Sequence, residues 1–142
     1  MSIAIASDHA GFDLKTYVIK RLKKAGYQVQ DFGPKSDSSV DYADFGHKVA
    51  SAVELSPDVL GILICGSGNG ICMTANKHTS IRAALCWTPE ISALARQHNN
   101  ANILCLPARF VSKMLAGRIV DSFLSSEFEG GRHQRRIEKI PC

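Results

Sequence analysis

Ile62-Leu63-Ile64-Cys65-Gly66-Ser67-Gly68-Asn69-Gly70 decides how the rest of the chain is read. The apolar run that begins at Val59 is almost unbroken, the pattern of a strand covered on both faces. It passes directly into a thiol and three alternating glycines. A buried strand that ends in a glycine-rich turn belongs to an α/β fold, and such folds place their chemistry at the carboxyl ends of their strands. Glycines let the backbone approach a ligand closely and turn its N–H groups toward it. A cysteine at the mouth of such a loop, beside a helix N-terminus, can have its thiolate stabilised. Base and anion cradle would then be neighbours, an arrangement suited to a small anionic substrate.

Working outward, strand and helix patterns alternate. Ile3–Ala6 reads as a strand and Asp8–Gly11 as a polar turn. Leu14, Val18 and Leu22 recur at helical spacing over 12–25, with Lys15, Lys20, Lys23 and Lys24 elsewhere around the helix and Gly26 as its stop. Gln28–Phe32 is a second strand. A helix over about 42–55 follows, with Asp41 as its N-cap. A short helix leaves the glycine loop and runs through Asn76. Ile81–Cys86 is the fourth strand, Pro89 opens a helix ending near His98, and Ile103–Leu106 is the fifth strand. Ser112 caps a last long helix with the stripe Leu115, Ile119 and Phe123; Gly130 and Gly131 break it, and a basic tail follows. The expectation is a Rossmann-like three-layer α/β sandwich around a five-stranded parallel sheet, in one domain over residues 1–142.

Composition agrees with a globular chain: 45% apolar, 21% charged and a net charge of +4. No run is apolar enough to span a membrane and no secretory signal is evident, so the expected compartment is the cytoplasm and no membrane partner is expected. Five cysteines without framework spacing read as reduced thiols, with Cys86 and Cys105 as small core residues. The basic residues crowd into Arg132, Arg135, Arg136 and Lys139, which suits one local anion better than a nucleic acid. With no aromatic residues interleaved, no nucleic-acid partner is expected.

Each motif has two readings at this level. Gly66 to Gly70 is either a tight strand-to-helix turn or a nest of N–H groups for an oxyanion or phosphate; it lacks both the lysine of a Walker loop and the spacing of a dinucleotide fingerprint. Cys65 is a core residue by type and a candidate base by position. Asp8-His9 is a turn or part of an acid–base set with Cys65 and His98. His98 sits at the far end of a helix, which leaves its placement near Cys65 unexplained. Arg132 and Arg136, four apart, share a helical face and could clamp a phosphate; the alternative is a solvated tail. Arg109 follows the fifth strand as another anion contact or a surface residue. His47, His78 and His133 read as surface residues, and the histidines show no metal-binding spacing.

In order along the chain, Ser7-Asp8-His9-Ala10-Gly11-Phe12, Asp41-Tyr42, Ile64 to Gly70, Ala75-Asn76-Lys77, Ile81-Arg82-Ala83, Arg96-Gln97-His98-Asn99 and Glu129-Gly130-Gly131-Arg132-His133 resemble the type B ribose-5-phosphate isomerases. That family also holds allose-6-phosphate isomerases and galactose-6-phosphate isomerase subunits. The resemblance implies interconversion of D-ribose 5-phosphate and D-ribulose 5-phosphate through a cis-enediolate, in the non-oxidative pentose phosphate pathway, with no metal and no cofactor. It also implies a homodimer or homotetramer whose active sites are shared between subunits. Position by position, Cys65 matches the proton-abstracting base, His98 the ring-opening residue, and Gly66, Ser67, Gly68, Asn69 and Gly70 the enediolate-stabilising loop. Asp8, His9 and Asn99 match sugar contacts, Tyr42 a residue lining the site, and Arg109, Arg132 and Arg136 substrate-binding arginines, the last two at the phosphate. Ser67 stands where the cysteine branch commonly has threonine, and Ile71 where another branch carries a catalytic glutamate.

Overall fold

In a computed structural model describing all 142 residues, ten strands and helices alternate as the sequence predicts, and a short eleventh element, a helix, follows them. They are β1 (Ser2–Ser7), α1 (Phe12–Lys24), β2 (Gln28–Asp31), α2 (Tyr42–Leu55), β3 (Val59–Cys65), α3 (Asn69–Ala75), β4 (Ala83–Leu85), α4 (Pro89–Asn99), β5 (Ile103–Pro107), α5 (Lys113–Ser125) and α6 (Arg132–Ile137). All strand pairs are parallel, in the order β2-β1-β3-β5-β4.

Two apolar layers cover the sheet. Leu14, Val18 and Leu22 of α1 and Ala116, Ile119, Val120 and Phe123 of α5 pack on one face with Ile3, Ile5, Ile62 and Leu104. Val49, Ala50 and Val53 of α2 and Ile71 and Ala75 of α3 pack on the other with Ala4, Ala6, Leu63 and Ile103. Alternate residues of β1, β3 and β5 thus serve opposite faces, which explains their unbroken apolar character. Cys86 and Cys105 are fully buried, as the sequence reading expects.

The strand order creates a switch point. From β1 the chain moves outward to β2, while from β3 it crosses over β5 to β4. The connections leaving the carboxyl ends of β1 and β3 therefore diverge, and a crevice opens between two adjacent strands, where open α/β sheets bind ligands. Ser7 lies in register with Ile64, so Asp8-His9 and Cys65 emerge side by side.

Four expectations need correction. β4 is shorter than Ile81–Cys86, because flanking backbone groups are taken by side chains: Arg82 N–H donates to Asn102 Oδ1 at 2.8 Å. On the open edge of β4, Asn76 accepts from Ala83 N–H at 2.8 Å and donates to its carbonyl at 2.9 Å, blunting the edge. Asp41 occupies the N-cap position of α2 but its side chain caps nothing, whereas Thr88 and Ser112 accept from Ile91 and Leu115 amides. Lys15 is 1% exposed; its ammonium bonds both Asp31 carboxylate oxygens and the Pro34 carbonyl, tying α1 to the end of β2. The basic tail is partly a helix, α6, with His133 and Ile137 turned inward.

Candidate active site

Cys65 ends β3 and is 4% exposed. The loop beyond it is shaped by close approach. Gly68 has φ of +75°, and an added Cβ would sit 2.4 Å from Leu85 Cδ1 and 3.2 Å from the Leu106 carbonyl group. Only glycine combines that backbone with that proximity at low cost. Gly70 lies under the Tyr42 ring, whose nearest atom would be 2.4 Å from an added Cβ. The loop therefore turns tightly into α3, with its amides directed back toward the strand end. The amides of Ile71, Gly68 and Ser67 lie close enough to the Cys65 sulfur to favour its thiolate. Ser67 Oγ accepts weakly from the Asn69 amide and side chain, at 3.4 and 3.3 Å.

Burial pushes the Cys65 thiol above its ordinary value, the nearby Asp8 carboxylate adds to the rise, and the three amides offset part of it. The expectation of a stabilised thiolate is corrected accordingly: in the single chain, desolvation outweighs the donors. Asp8, 7% exposed, accepts from Gly11 N–H at 3.0 Å. His9 Nδ1 lies 3.2 Å from both the amide and the carbonyl of Val40, so the loop before α2 orients the ring. β3 and β5 pair Cys65 with Pro107, and Arg109 N–H donates to the Gly66 carbonyl at 3.0 Å. The Arg109 guanidinium lies over Gly66, so its charge stands beside the loop.

A second group of predicted residues lies elsewhere. α4 runs back against the strands, and at 1.5 Å per residue its eleven residues carry the chain about 16 Å toward the opposite sheet edge. His98 and Asn99 end that helix. The Asn99 and Asn100 carbonyls accept from Arg82 Nε at 3.1 and 3.0 Å, and Arg82 directly precedes β4, which fixes Asn99 at the amino edge of the sheet. Here the His98 and His133 rings stack, 4.2 Å apart and 11° from parallel. The Glu129 carboxylate faces both, 3.8 Å from His98 Nε2 and 3.6 Å from His133 Nε2. Arg132 and Arg136 lie exposed on α6 alongside. Desolvation, with the neighbouring His98 and Arg132, lowers the His133 pKa.

The structure thus brings Asp8, His9, Tyr42, Cys65, residues 66–70 and Arg109 together at the carboxyl edge. It brings His98, Asn99, Arg132 and Arg136 together at the amino edge, and no hydrogen bond or ion pair joins the two groups. A cleft of about 670 Å³ on the amino side is walled by Asn99, Arg82 and Ile137 among others. Sequence reading missed His133, taken as a surface residue, and gave Glu129 no role. The signal was the spacing Glu129-Gly130-Gly131-Arg132-His133: the two glycines, φ +67° and +57°, fold the glutamate back over the histidine.

A family profile described as Ribose/Galactose Isomerase matches residues 3–140. The chain belongs to this family. Ribose-5-phosphate isomerase B of Escherichia coli (strain K12) is 44% identical over 138 residues, covering 97% of this chain and 93% of that one. The crystal structure of ribose-5-phosphate isomerase B from Mycoplasma genitalium with bound ribulose-5-phosphate is 52% identical, with a TM-score of 0.95 over 98% of this chain and 93% of that one. The Clostridium thermocellum ribose-5-phosphate isomerase B structure is 51% identical, with a TM-score of 0.96 over 99% and 95% of the two chains. At those TM-scores the fold is shared over nearly the whole of each chain. No helix is long and apolar enough to cross a membrane.

Proposed function

We propose that the chain is an aldose–ketose isomerase that interconverts D-ribose 5-phosphate and D-ribulose 5-phosphate, acting as a single sugar-phosphate isomerase domain over residues 1–142. The observation that carries the reading is Cys65 at the switch point, at the mouth of the glycine loop whose Ser67, Gly68 and Ile71 amides favour its thiolate, in a chain about half identical to relatives named for this activity.

In the proposed reaction the open-chain aldose lies over the loop. The Cys65 thiolate takes the C2 proton, and electrons from the C2–H bond form the C1–C2 double bond of a cis-enediolate. Negative charge collects on O1, where loop amides stabilise it; each well-placed donor is worth about 3 kcal/mol. The thiol then returns the proton to C1, while the O2 proton leaves and O1 gains one. Asp8, His9 and Tyr42 hold the sugar, and Arg109 adds positive charge beside Gly66.

His98, Asn99, Arg132 and Arg136 complete the site from a second copy. A helix length separates them from Cys65 within one chain, so a two-fold pairing that apposes a carboxyl edge to the partner's amino edge supports the reading. Across that pairing His98 protonates the ring oxygen to open the furanose, and the two arginines, one helical turn apart, clamp the phosphate. Five free thiols support a reducing compartment, the cytoplasm, where the non-oxidative pentose phosphate pathway would use this reaction.

The test is complementation. Cys65→Ala should be inactive and His98→Asn strongly slowed on cyclic ribose 5-phosphate. After mixing and exchange, half the dimers are mixed and each has one intact site of two, so about a quarter of wild-type activity should return. No recovery, with exchange verified by mass, overturns the shared site; full activity of Cys65→Ala overturns the base.

A further inference from the structure

We propose that His98, Glu129 and His133 form a divalent-cation site of the zinc type: two imidazoles, one carboxylate and an open fourth position. Their donor atoms all lie within 4.8 Å of one another. The two histidine-to-glutamate separations, 3.8 and 3.6 Å, compare with about 3.4 Å between ligands of a tetrahedral zinc whose bonds are near 2.0–2.1 Å. In distance, two of the three edges lie within a few tenths of an ångström of that value, while the ring directions still have to converge.

The scaffold is built from the backbone. Glu129 N–H donates to the Gln97 carbonyl at 3.0 Å, pinning the strap after α5 to the last turn of α4 beside His98. Gly130 and Gly131, at φ +67° and +57°, reverse the chain so that Glu129 meets the first turn of α6, and His133 N–H donates to the Gly130 carbonyl at 3.2 Å. Residues far apart in sequence are thereby held on one backbone frame without a metal.

Mobility is distributed suitably among the ligands. The His133 side chain is 9% exposed and held by packing, while those of His98 and Glu129 are 39% and 53% exposed. Parallel rings 4.2 Å apart cannot both aim in-plane lone pairs at one ion. His98 must swing out of the stack to ligate, and its exposure permits this. The fourth position opens to solvent, leaving room for water or a phosphate oxygen. Imidazole with carboxylate selects zinc and its neighbours over magnesium or calcium. Arg132 and Arg136 oppose a cation here, so binding should be weaker than at structural zinc sites.

On the reading of His98 given above, a bound cation occupies the ring-opening imidazole and inhibits the enzyme. The experiment titrates the chelator-stripped full-length protein with zinc chloride against a chromophoric competitor. One zinc per chain is expected, weakened at least about tenfold by Glu129→Gln and by His133→Gln. Glu129 is half-exposed, so its variant should fold even if the His133 variant does not, as circular dichroism would show. Cobalt(II) should give visible d–d bands without the near-ultraviolet charge-transfer band of thiolate ligation. Absence of zinc binding, equal affinity in wild type and Glu129→Gln, or a thiolate charge-transfer band would each overturn the site. Zinc bound with isomerisation of ribose 5-phosphate undiminished would keep the site and overturn the role of His98. No zinc binding by an active isomerase would overturn the site alone.

Discussion

Gly68→Ala tests the loop most directly, because its effects on folding and on chemistry can be predicted separately. Gly68 is at φ +75°, where an alanine costs about 1 kcal/mol relative to glycine. The new methyl would meet Leu85 Cδ1 at 2.4 Å and the Leu106 carbonyl group at 3.2 Å. Leu85 can rotate away, but the Leu106 backbone belongs to the paired core of β5 and yields little, so overpacking adds about 1–3 kcal/mol. The stability loss should be about 2–4 kcal/mol, read as a lower urea midpoint at unchanged m. The strain relaxes most easily by moving residues 67–71, which carry the amides beside Cys65. Misplacing one donor should lower kcat on ribose 5-phosphate by about 100-fold or more. Gly70→Ala is the control: it strikes the half-exposed Tyr42 ring, which is free to swing, so its stability loss should be smaller and largely relieved by Tyr42→Ala. If Gly68→Ala loses the expected stability yet keeps wild-type kcat, the loop amides do not carry the transition state and the reasoning fails.

Other outcomes follow from single contacts. Lys15→Ala should cost about 3 kcal/mol, since it leaves the Pro34 carbonyl and one face of Asp31 unpaired, while Asp31→Asn should cost about 1 kcal/mol; equal unfolding midpoints would refute the buried role. Burial pushes the Cys86 thiol up to about 12. A raised native pKa means stability is intact below the unfolded thiol's value and lost as pH rises from there to about 12, by up to about 1.4 kcal/mol per pH unit. Cys86→Ala should therefore flatten the alkaline decline of the melting temperature, and an unaltered slope would refute it. His98→Asn should slow cyclic ribose 5-phosphate far more than an open-chain analogue; equal losses measured on both would remove it from ring opening.

Much of this protein is legible without coordinates. Apolar runs and periodicities placed all five strands and the helices that cover them, because burial on one or both faces leaves its pattern in the chain. The thiol–glycine run marked the end of β3, since a strand that must turn at once beside a neighbour needs residues without side chains. Lys15 escaped: its charge reads as a surface residue, and only the approach of Asp31 and Pro34 from β2 makes a buried ammonium tolerable. His133 escaped similarly, because nothing local announces that two glycines fold it onto His98.

Sequence by itself therefore determined the class of fold, the identity of the chemical groups and the strand end from which the thiol emerges, all properties of local pattern. Only the tertiary structure decided which of those groups meet. Strand order placed Asp8-His9 against Cys65, because β1 and β3 are neighbours with diverging connections. The antiparallel run of α4 carried His98 and Asn99 a helix length away, turning one list of site residues into two half-sites at opposite edges of the sheet. Burial also set the state of the thiol: the loop amides favour its ionisation, but the desolvation that opposes it comes from residues distant in the chain.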